Sequence, residues 1–314
     1  ILVDGNEISS CINGIIKYID NNIIQKTSSS KNIPSFIQKQ AMKFYGHICK
    51  ILPNIVSLQF ICDVLISNPP PEVIEEALVA LEYVSKNKDH NNDTINDFES
   101  LLNVVQSMLN SQMHYISTEC IKAIGRLNPS IINSSRIPLL EIINNGSGSV
   151  RQAIVYLVDT LPLLFKDHIK DLCKLFTSNE NRRACFIRSS AVGALSCLSR
   201  RGLGKEVVDR IVFKKYIDIN NPFYIVESAI RVLSLVPPSF ITDDAITQIF
   251  NVLNHNSNRV TVAAIDAFGF FGDSIINNDE RMTQFCRQLA HSDSEIRSAT
   301  INALDRLKSR VNEE

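Results

Sequence analysis

The stretch that decides the fold is Ile187-Arg188-Ser189-Ser190-Ala191-Val192-Gly193-Ala194-Leu195-Ser196-Cys197-Leu198. Counted from Ile187, its apolar and small residues stand at positions 0, +4, +7, +8 and +11. At 100° per residue these positions fall within an arc of about 100°, which is one face of an amphipathic helix. The small residues at +4 and +7 would allow a neighbouring helix to approach this face closely.

The same pattern opens seven further helices in one register, beginning at residues 37, 73, 116, 150, 225, 260 and 296. The eight openings are separated by 36, 43, 34, 37, 38, 35 and 36 residues. A second apolar-periodic set lies between them, at roughly 8–26, 54–67, 95–110, 135–145, 167–178, 204–218, 242–254 and 279–291. A period of this length indicates stacked helix pairs, each with an A helix, a short turn and a B helix.

The repeat resembles that of the HEAT family, whose B helix reads approximately V-R-x-x-A-x-x-A-L-x-x-L. The copies at Ile187–Leu198 and Ile296–Leu307 carry the resemblance best, and it covers residues from about 8 to 311. It implies an all-α fold, a right-handed α-α superhelix (solenoid) of about eight HEAT-type helix pairs forming one array over residues 1–314. An armadillo-type array with a third helix per unit is the alternative, for which periods near 36 leave little room. The chain opens on Ile1, which leaves open that it is a segment of a longer protein.

Composition narrows the class of partner and the compartment. The net charge is −1, so the whole molecule has no bulk attraction to nucleic acid or to an anionic membrane. No apolar run reaches the ~20 residues of a membrane span, and we expect no membrane insertion. The eight cysteines form no C-x-x-C pair and mostly occupy apolar helical positions, which favours a reducing, intracellular compartment, cytoplasmic or nuclear.

No combination of residues in the sequence points to catalysis. The six histidines form no H-E-x-x-H pair, and no Walker loop, G-x-G-x-x-G or G-x-S-x-G is present. Carboxylates such as Glu119 and Glu227 have no clustered partner in the sequence. We therefore expect no enzyme, no cofactor and no metal site.

A basic segment is the first candidate for partner binding. Residues 166–215 hold 12 Lys and Arg against five acids, a local net charge of +7. It would dock an acidic peptide, phosphate groups or RNA, although a solvated face with i,i+3 ion pairs is the simpler interpretation. The arginines expected to contact an anionic partner are Arg182, Arg183, Arg188, Arg200 and Arg201.

The seventh B helix supplies the second candidate. Positions +2, +3, +6 and +10 of the B helices line the concave binding surface in the HEAT family. They are mostly polar in early units, but in the seventh they include Val262 and Phe270. A helix that is apolar nearly all round must be covered, either by a partner or by another part of the same chain.

The long spacing after the second B helix indicates an insertion. Ser85–Ile95 is the most polar stretch of the chain and is interpreted as a surface loop. Taken together, the patterns predict a non-catalytic scaffold or adaptor that binds protein partners in a multi-subunit complex. A nucleic-acid- or phosphate-binding solenoid is the alternative, and a HEAT-like enzyme the least favoured one.

Overall fold

The computed structural model describes residues 34–311 except 55, 90–92, 110–112, 178–181, 273–274 and 276, together with residues 10, 14 and 15. These residues form helices joined by turns, and no strand occurs among them. The chain divides into two compact units, Ile1–Leu157 and Val158–Glu314. The all-α superhelical repeat fold predicted from the sequence is confirmed, whereas the single array over 1–314 stays a prediction.

The described part of the first unit contains three A helices and four B helices. Its helices are α1 (Ser35–Ile51), α2 (Leu58–Ile66), α3 (Pro71–Asn87), α4 (Ile95–Met108), α5 (His114–Ile124), α6 (Leu139–Asn145) and α7 (Gly148–Thr160), in which the boundary to the second unit falls. Each of the four B-helix openings predicted here, at 37, 73, 116 and 150, lies within the first turn of a helix. The first A helix, predicted at 8–26, lies almost entirely outside the described residues.

The second unit continues the alternation. Its helices are α8 (Ile169–Lys174), α9 (Arg182–Leu198), α10 (Gly204–Phe213), α11 (Phe223–Leu233), α12 (Asp243–Asn251), α13 (Asn258–Phe271), α14 (Asp279–Cys286) and α15 (Ser294–Val311). The four predicted openings at 187, 225, 260 and 296 fall in α9, α11, α13 and α15. Proline or a polar cap begins several of these helices: Pro222 precedes α11, and the Thr242 hydroxyl accepts from the Ala245 amide at the start of α12.

Within each unit, B helices pack on B helices and A helices pack on A helices. In the first unit α1 packs on α3 and α3 on α5, while α2 packs on α4. In the second unit α9, α11, α13 and α15 pack in succession, and α10 packs on α12. Within each unit the B helices thus form one layer and the A helices the other. In the first unit α4 also packs on α5, the B helix of its own pair, so apolar faces are buried both within a pair and between neighbouring pairs.

The core follows the repeat register. The small residues at position +7 are fully enclosed, with Ala80, Ala123, Ala194, Ala267 and Ala303 all at most 1% exposed. They permit close helix contact: a side chain on Gly269 of α13 would lie 3.1 Å from the Cα of Ala303 in α15. Large side chains at +8, such as Tyr45, Leu195 and Phe268, are also fully buried. Burying each such side chain stabilises the folded state by roughly 1.5–3 kcal/mol.

Not every position of the predicted core face is buried. Phe44, at position +7 of the first unit, is 46% exposed, and Leu304, at position +8 of the last, is half-buried. Ile37, which opens the pattern in the first unit, is 46% exposed. The buried arc of α1 is centred on Met42, Tyr45 and Cys49, and at 100° per residue Ile37 lies outside it. The other seven residues at position zero are buried.

Most described residues of the polar stretch Ser85–Ile95 are exposed, as expected of a surface loop, but two of its charged side chains are buried. Lys88 follows the last residue of α3, and its ammonium lies 3.0 Å from Asp97 and 3.5 Å from Asp93. Its side chain is 8% exposed, and those of Asp93 and Asp97 are 0% and 10% exposed. These charges are buried because each is paired, which removes most of the cost of leaving water.

No helix among the described residues is both long and apolar enough to cross a membrane.

Candidate partner-binding groove

The arginines predicted as one basic patch occupy different places. Arg182 and Arg183 lie in the first turn of α9, and their side chains are outside the described part of the chain. Arg200 and Arg201 follow the other end of this helix, in the turn Ser199–Leu203. With a rise of 1.5 Å per residue, the two ends are roughly 25 Å apart.

Several charges of the basic segment are already paired. Arg201 donates from Nε and Nη2 to the two carboxylate oxygens of Asp159, at 3.2 and 3.0 Å. Lys174 pairs with Asp171 at 2.7 Å, the i,i+3 pairing expected from the sequence, and Lys166 pairs with Glu206 at 3.0 Å. Because of these ion pairs, the electrostatic potential around residues 166–215 is weaker than the formal charge of +7 suggests.

The apolar positions of the seventh B helix are half-buried. Val262 and Phe270 are neither enclosed nor open on α13. The guanidinium of Arg306, from α15, lies 5.0 Å from the centre of the Phe270 ring, and also reaches Asp266 at 3.3 Å. A side chain of the eighth repeat therefore covers part of this stripe.

A groove of about 410 Å³ opens between the B helices of the fifth, sixth and seventh repeats. It is contained in the second unit, where α11 packs between α9 and α13. Its walls combine arginines with small polar and apolar side chains. The lining residues are Cys185, Arg188, Ser189, Val192, Tyr224, Glu227, Ser228, Arg231, Ser234, Leu235 and Arg259.

An ion-pair cluster organises the floor of this groove. The Glu227 side chain is 7% exposed and receives Nε and Nη2 of Arg231 at 3.0 and 2.9 Å. Nη2 of Arg259 lies 2.8 Å from its second carboxylate oxygen. The two arginine side chains are 60% and 62% exposed, so they rise from the buried carboxylate toward solvent.

Aromatic rings hold two guanidinium groups of the groove. Arg188 lies over the ring of Tyr224 with 4.6 Å between the guanidinium carbon and the ring centre, and it is 8% exposed. Arg259 lies over Phe223 at 5.4 Å. Such contacts restrict the arginine rotamers and contribute roughly 0.5–2 kcal/mol each.

Only one member of this cluster was among the predicted site residues. The sequence pattern pointed to Arg188, whereas Glu227 has no clustered partner in the sequence, and the pattern did not indicate Arg231, Arg259 or Tyr224. The sequence does contain one indication of this cluster. Glu227 and Arg231 are four residues apart on a helix, and their repeat positions, +2 and +6, both belong to the expected binding surface. Arg259 lies 32 residues further on, and only the packing of α11 on α13 brings it to Glu227.

Two of the buried cysteines are held as neutral thiols. Burial raises the pKa of the Cys49 and Cys173 thiols to about 12, so both stay protonated near neutral pH. All seven described cysteines are free. No group of three or more His, Cys, Asp or Glu side chains suited to a metal ion occurs in the described part of the chain.

No protein-family model matches the sequence, and a search of curated proteins found none similar to it. Solved structures are similar in fold. Kap121p bound to Nup53p superposes with a TM-score of 0.67 at 12% identity, over 95% of this chain and 33% of that one. A Kap121p mutant gives 0.55 at 12% identity, over 96% and 34%. A designed armadillo repeat protein in complex with the peptide (KR)4 gives 0.36 at 13% identity, over 80% and 100%.

The chain thus spans about a third of the length of the Kap121p structures that it resembles. At 12% identity the likeness concerns the fold alone. It agrees with the period of the sequence, the alternating A and B layers and the alanines at the helix contacts. The fold of this chain is that of the HEAT and armadillo-like helical repeats.

Proposed function

We propose that the chain is a non-catalytic scaffold or adaptor that binds a segment of a partner protein in the groove between α9, α11 and α13. The observation that carries the proposal is the groove itself, because it combines exposed arginines, an aromatic ring and small side chains in one concave site. Binding sites for peptides and ligands are typically concave, with few convergent polar groups on a rigid frame. Repeat arrays present such surfaces through side chains of adjacent units.

The proposal extends to a larger assembly and to an intracellular location, cytoplasmic or nuclear. Seven free cysteines, five of them buried, are compatible with a reducing compartment. Val262 and Phe270 would add a second, apolar contact for the same partner on α13. Nucleic-acid or phosphate binding through residues 166–215 is less favoured, because Lys166, Lys174 and Arg201 already pair with acids.

The test is to obstruct the groove without changing its charge. Ser189 is exposed on α9 and lines the groove, so Ser189→Trp should fill it while leaving the fold unchanged. Proteins that co-purify with the full chain from a native lysate are identified and quantified for the wild type and for the variant. We expect the amount of specific partner to fall at least about tenfold, as when a central contact of an interface is lost.

Ser298→Trp is the matched control. Ser298 is exposed at the same repeat position, +2, in α15 and is not among the groove residues. A second variant, Phe270→Asp, asks whether α13 contributes its apolar contact. Partners retained in full by Ser189→Trp would show that the interface lies elsewhere. Partners retained by Phe270→Asp would show that the apolar stripe of α13 is not part of the interface.

A further inference from the structure

We infer that the groove between α9, α11 and α13 takes an extended acidic segment, whose carboxylates pair with Arg231 and Arg259. The inference deepens the proposed function and rests on it, because it specifies the chemistry of the segment that the groove would bind. It starts from the charges that face the groove.

The charged side chains of the lining are three arginines and one glutamate, a formal charge of +3 − 1 = +2. Glu227 is deeply buried, so its charge is directed to Arg231 and Arg259 rather than to solvent. Both arginine side chains are more than half exposed. A ligand that enters the groove therefore meets a positive surface.

The arginines retain capacity for further hydrogen bonds. A guanidinium carries five N–H donors in a planar fork that matches a carboxylate. Arg231 uses Nε and Nη2 on Glu227, and Arg259 uses Nη2. No described residue accepts from Nη1 of either arginine in the contacts of this groove, so each can donate to a second carboxylate.

The site is also preorganised. Glu227 fixes Arg231 and Arg259 from below, while the rings of Tyr224 and Phe223 support Arg188 and Arg259 from the side. A side chain that is already ordered loses less conformational entropy when its partner binds. Gln at position 227 would keep one acceptor oxygen for these arginines. Their order therefore does not depend on the negative charge of Glu227, which opposes an acidic ligand.

A protein segment fits these features better than a nucleic acid. Val192 and Leu235 bring aliphatic carbon to the lining, which suits the apolar residues of a peptide. Single-stranded nucleic acids are bound by aromatic stacking platforms along a continuous basic track. Here Arg188 already lies against the ring of Tyr224, and the charged groups of the floor include a carboxylate.

The inference is tested with fluorescein-labelled octapeptides and the full chain. The probe contains four Glu, two Leu and two Ser; matched peptides replace Glu by Gln or by Lys, and an RNA octamer is the nucleic-acid probe. Fluorescence anisotropy at low salt should show binding of the acidic peptide, at least about tenfold tighter than that of the Gln peptide. Raising the salt concentration should weaken the binding, because exposed charges are screened.

Three variants distinguish binding of the acidic peptide in the groove from its non-specific attraction to positive charge elsewhere on the chain. Arg231→Gln with Arg259→Gln should weaken binding of the acidic peptide at least about tenfold. Arg287→Gln with Lys308→Gln, two exposed positions of the same unit with the same loss of charge, should change it less than twofold. Glu227→Gln should tighten it several-fold, since the groove then carries +3 rather than +2.

Circular dichroism verifies that each variant is folded, and Glu227→Gln provides the test if the double arginine variant is not. Equal binding of the Gln peptide, tighter binding of the RNA, or weaker binding by Glu227→Gln would overturn the inference. If Ser189→Trp loses partners while the acidic peptide fails to bind, the groove is an interface for another chemistry. If neither result appears, the proposed site itself is wrong.

Discussion

Each unit of the chain contains a cluster of three charged side chains. The first cluster has two negative charges and one positive charge, the second has two positive charges and one negative charge, and the two differ in burial. In the first unit one Lys88 lies between Asp93 and Asp97, and all three side chains are at most 10% exposed. In the second unit one Glu227 lies between Arg231 and Arg259, and these arginines are 60% and 62% exposed. The first cluster is closed to solvent, and the second opens into a groove.

The difference indicates that burial decides what an ion cluster does. Asp93 and Asp97 also accept backbone N–H groups, from Asn128 and Thr94 at 2.9 Å each, so the first cluster fixes a loop and a helix start. Removing one charge there would leave the others unpaired in a medium of low polarity. In the second cluster the arginines can return to water, so loss of the Glu227 charge costs little, and their donors remain available to a ligand.

The largest expected effect is that of Lys88→Met, which removes the charge but keeps much of the side-chain volume. Two buried carboxylates would lose their shared cation, and we expect the free energy of unfolding to fall by about 3–5 kcal/mol. Urea denaturation followed by circular dichroism measures the change.

Lys86→Ala serves as the control, because Lys86 pairs with Glu82 on the exposed side of α3 at 51% exposure. It should cost less than about 0.5 kcal/mol. Adding Asp97→Asn to Lys88→Met should recover part of the loss. Equal effects of the two lysine substitutions would mean that the first cluster is not structural.

A smaller effect is expected of Glu227→Gln on stability. Gln keeps the shape and one acceptor oxygen, and the two arginines can rehydrate, so the free energy of unfolding should fall by about 1 kcal/mol or less. The same urea denaturation compares it directly with Lys88→Met. A loss as large as that of Lys88→Met would make Glu227 a core element and remove the contrast between the clusters.

The smallest effect is expected at Asp159, whose pKa the hydrogen bonds from Arg201 hold below the ordinary value. In Arg201→Gln this pKa should rise toward the ordinary value of an aspartate, which a carboxyl-carbon NMR titration measures. Because the folded pKa is depressed, the stabilisation by this pair is present above about pH 4 and is lost as the pH falls through the folded pKa. An unchanged pKa of Asp159 would mean that the pair does not persist in solution.

The helical repeat could be predicted from the sequence, because the determinants are local and recur eight times. Position +7 shows why: alanines such as Ala194 and Ala267 are small wherever a neighbouring helix approaches, and the sequence displays this as a period near 36 residues. Helix periodicity also placed Glu227 and Arg231 on the expected binding surface. Ile37 is exposed although it fits the pattern, because the face of α1 that packs on its neighbour is rotated away from it.

By itself, therefore, the sequence determined the helices, their pairing and the faces that they bury. Only the tertiary structure decided which charges meet. Glu227 and Arg259 are 32 residues apart and come together because α11 packs on α13. Lys88 looked like part of a solvated loop, yet it is buried because Asp93 and Asp97 are within reach. The free energy of a charge depends on burial and on the nearest opposite charge, and both are set by packing between elements rather than by local pattern.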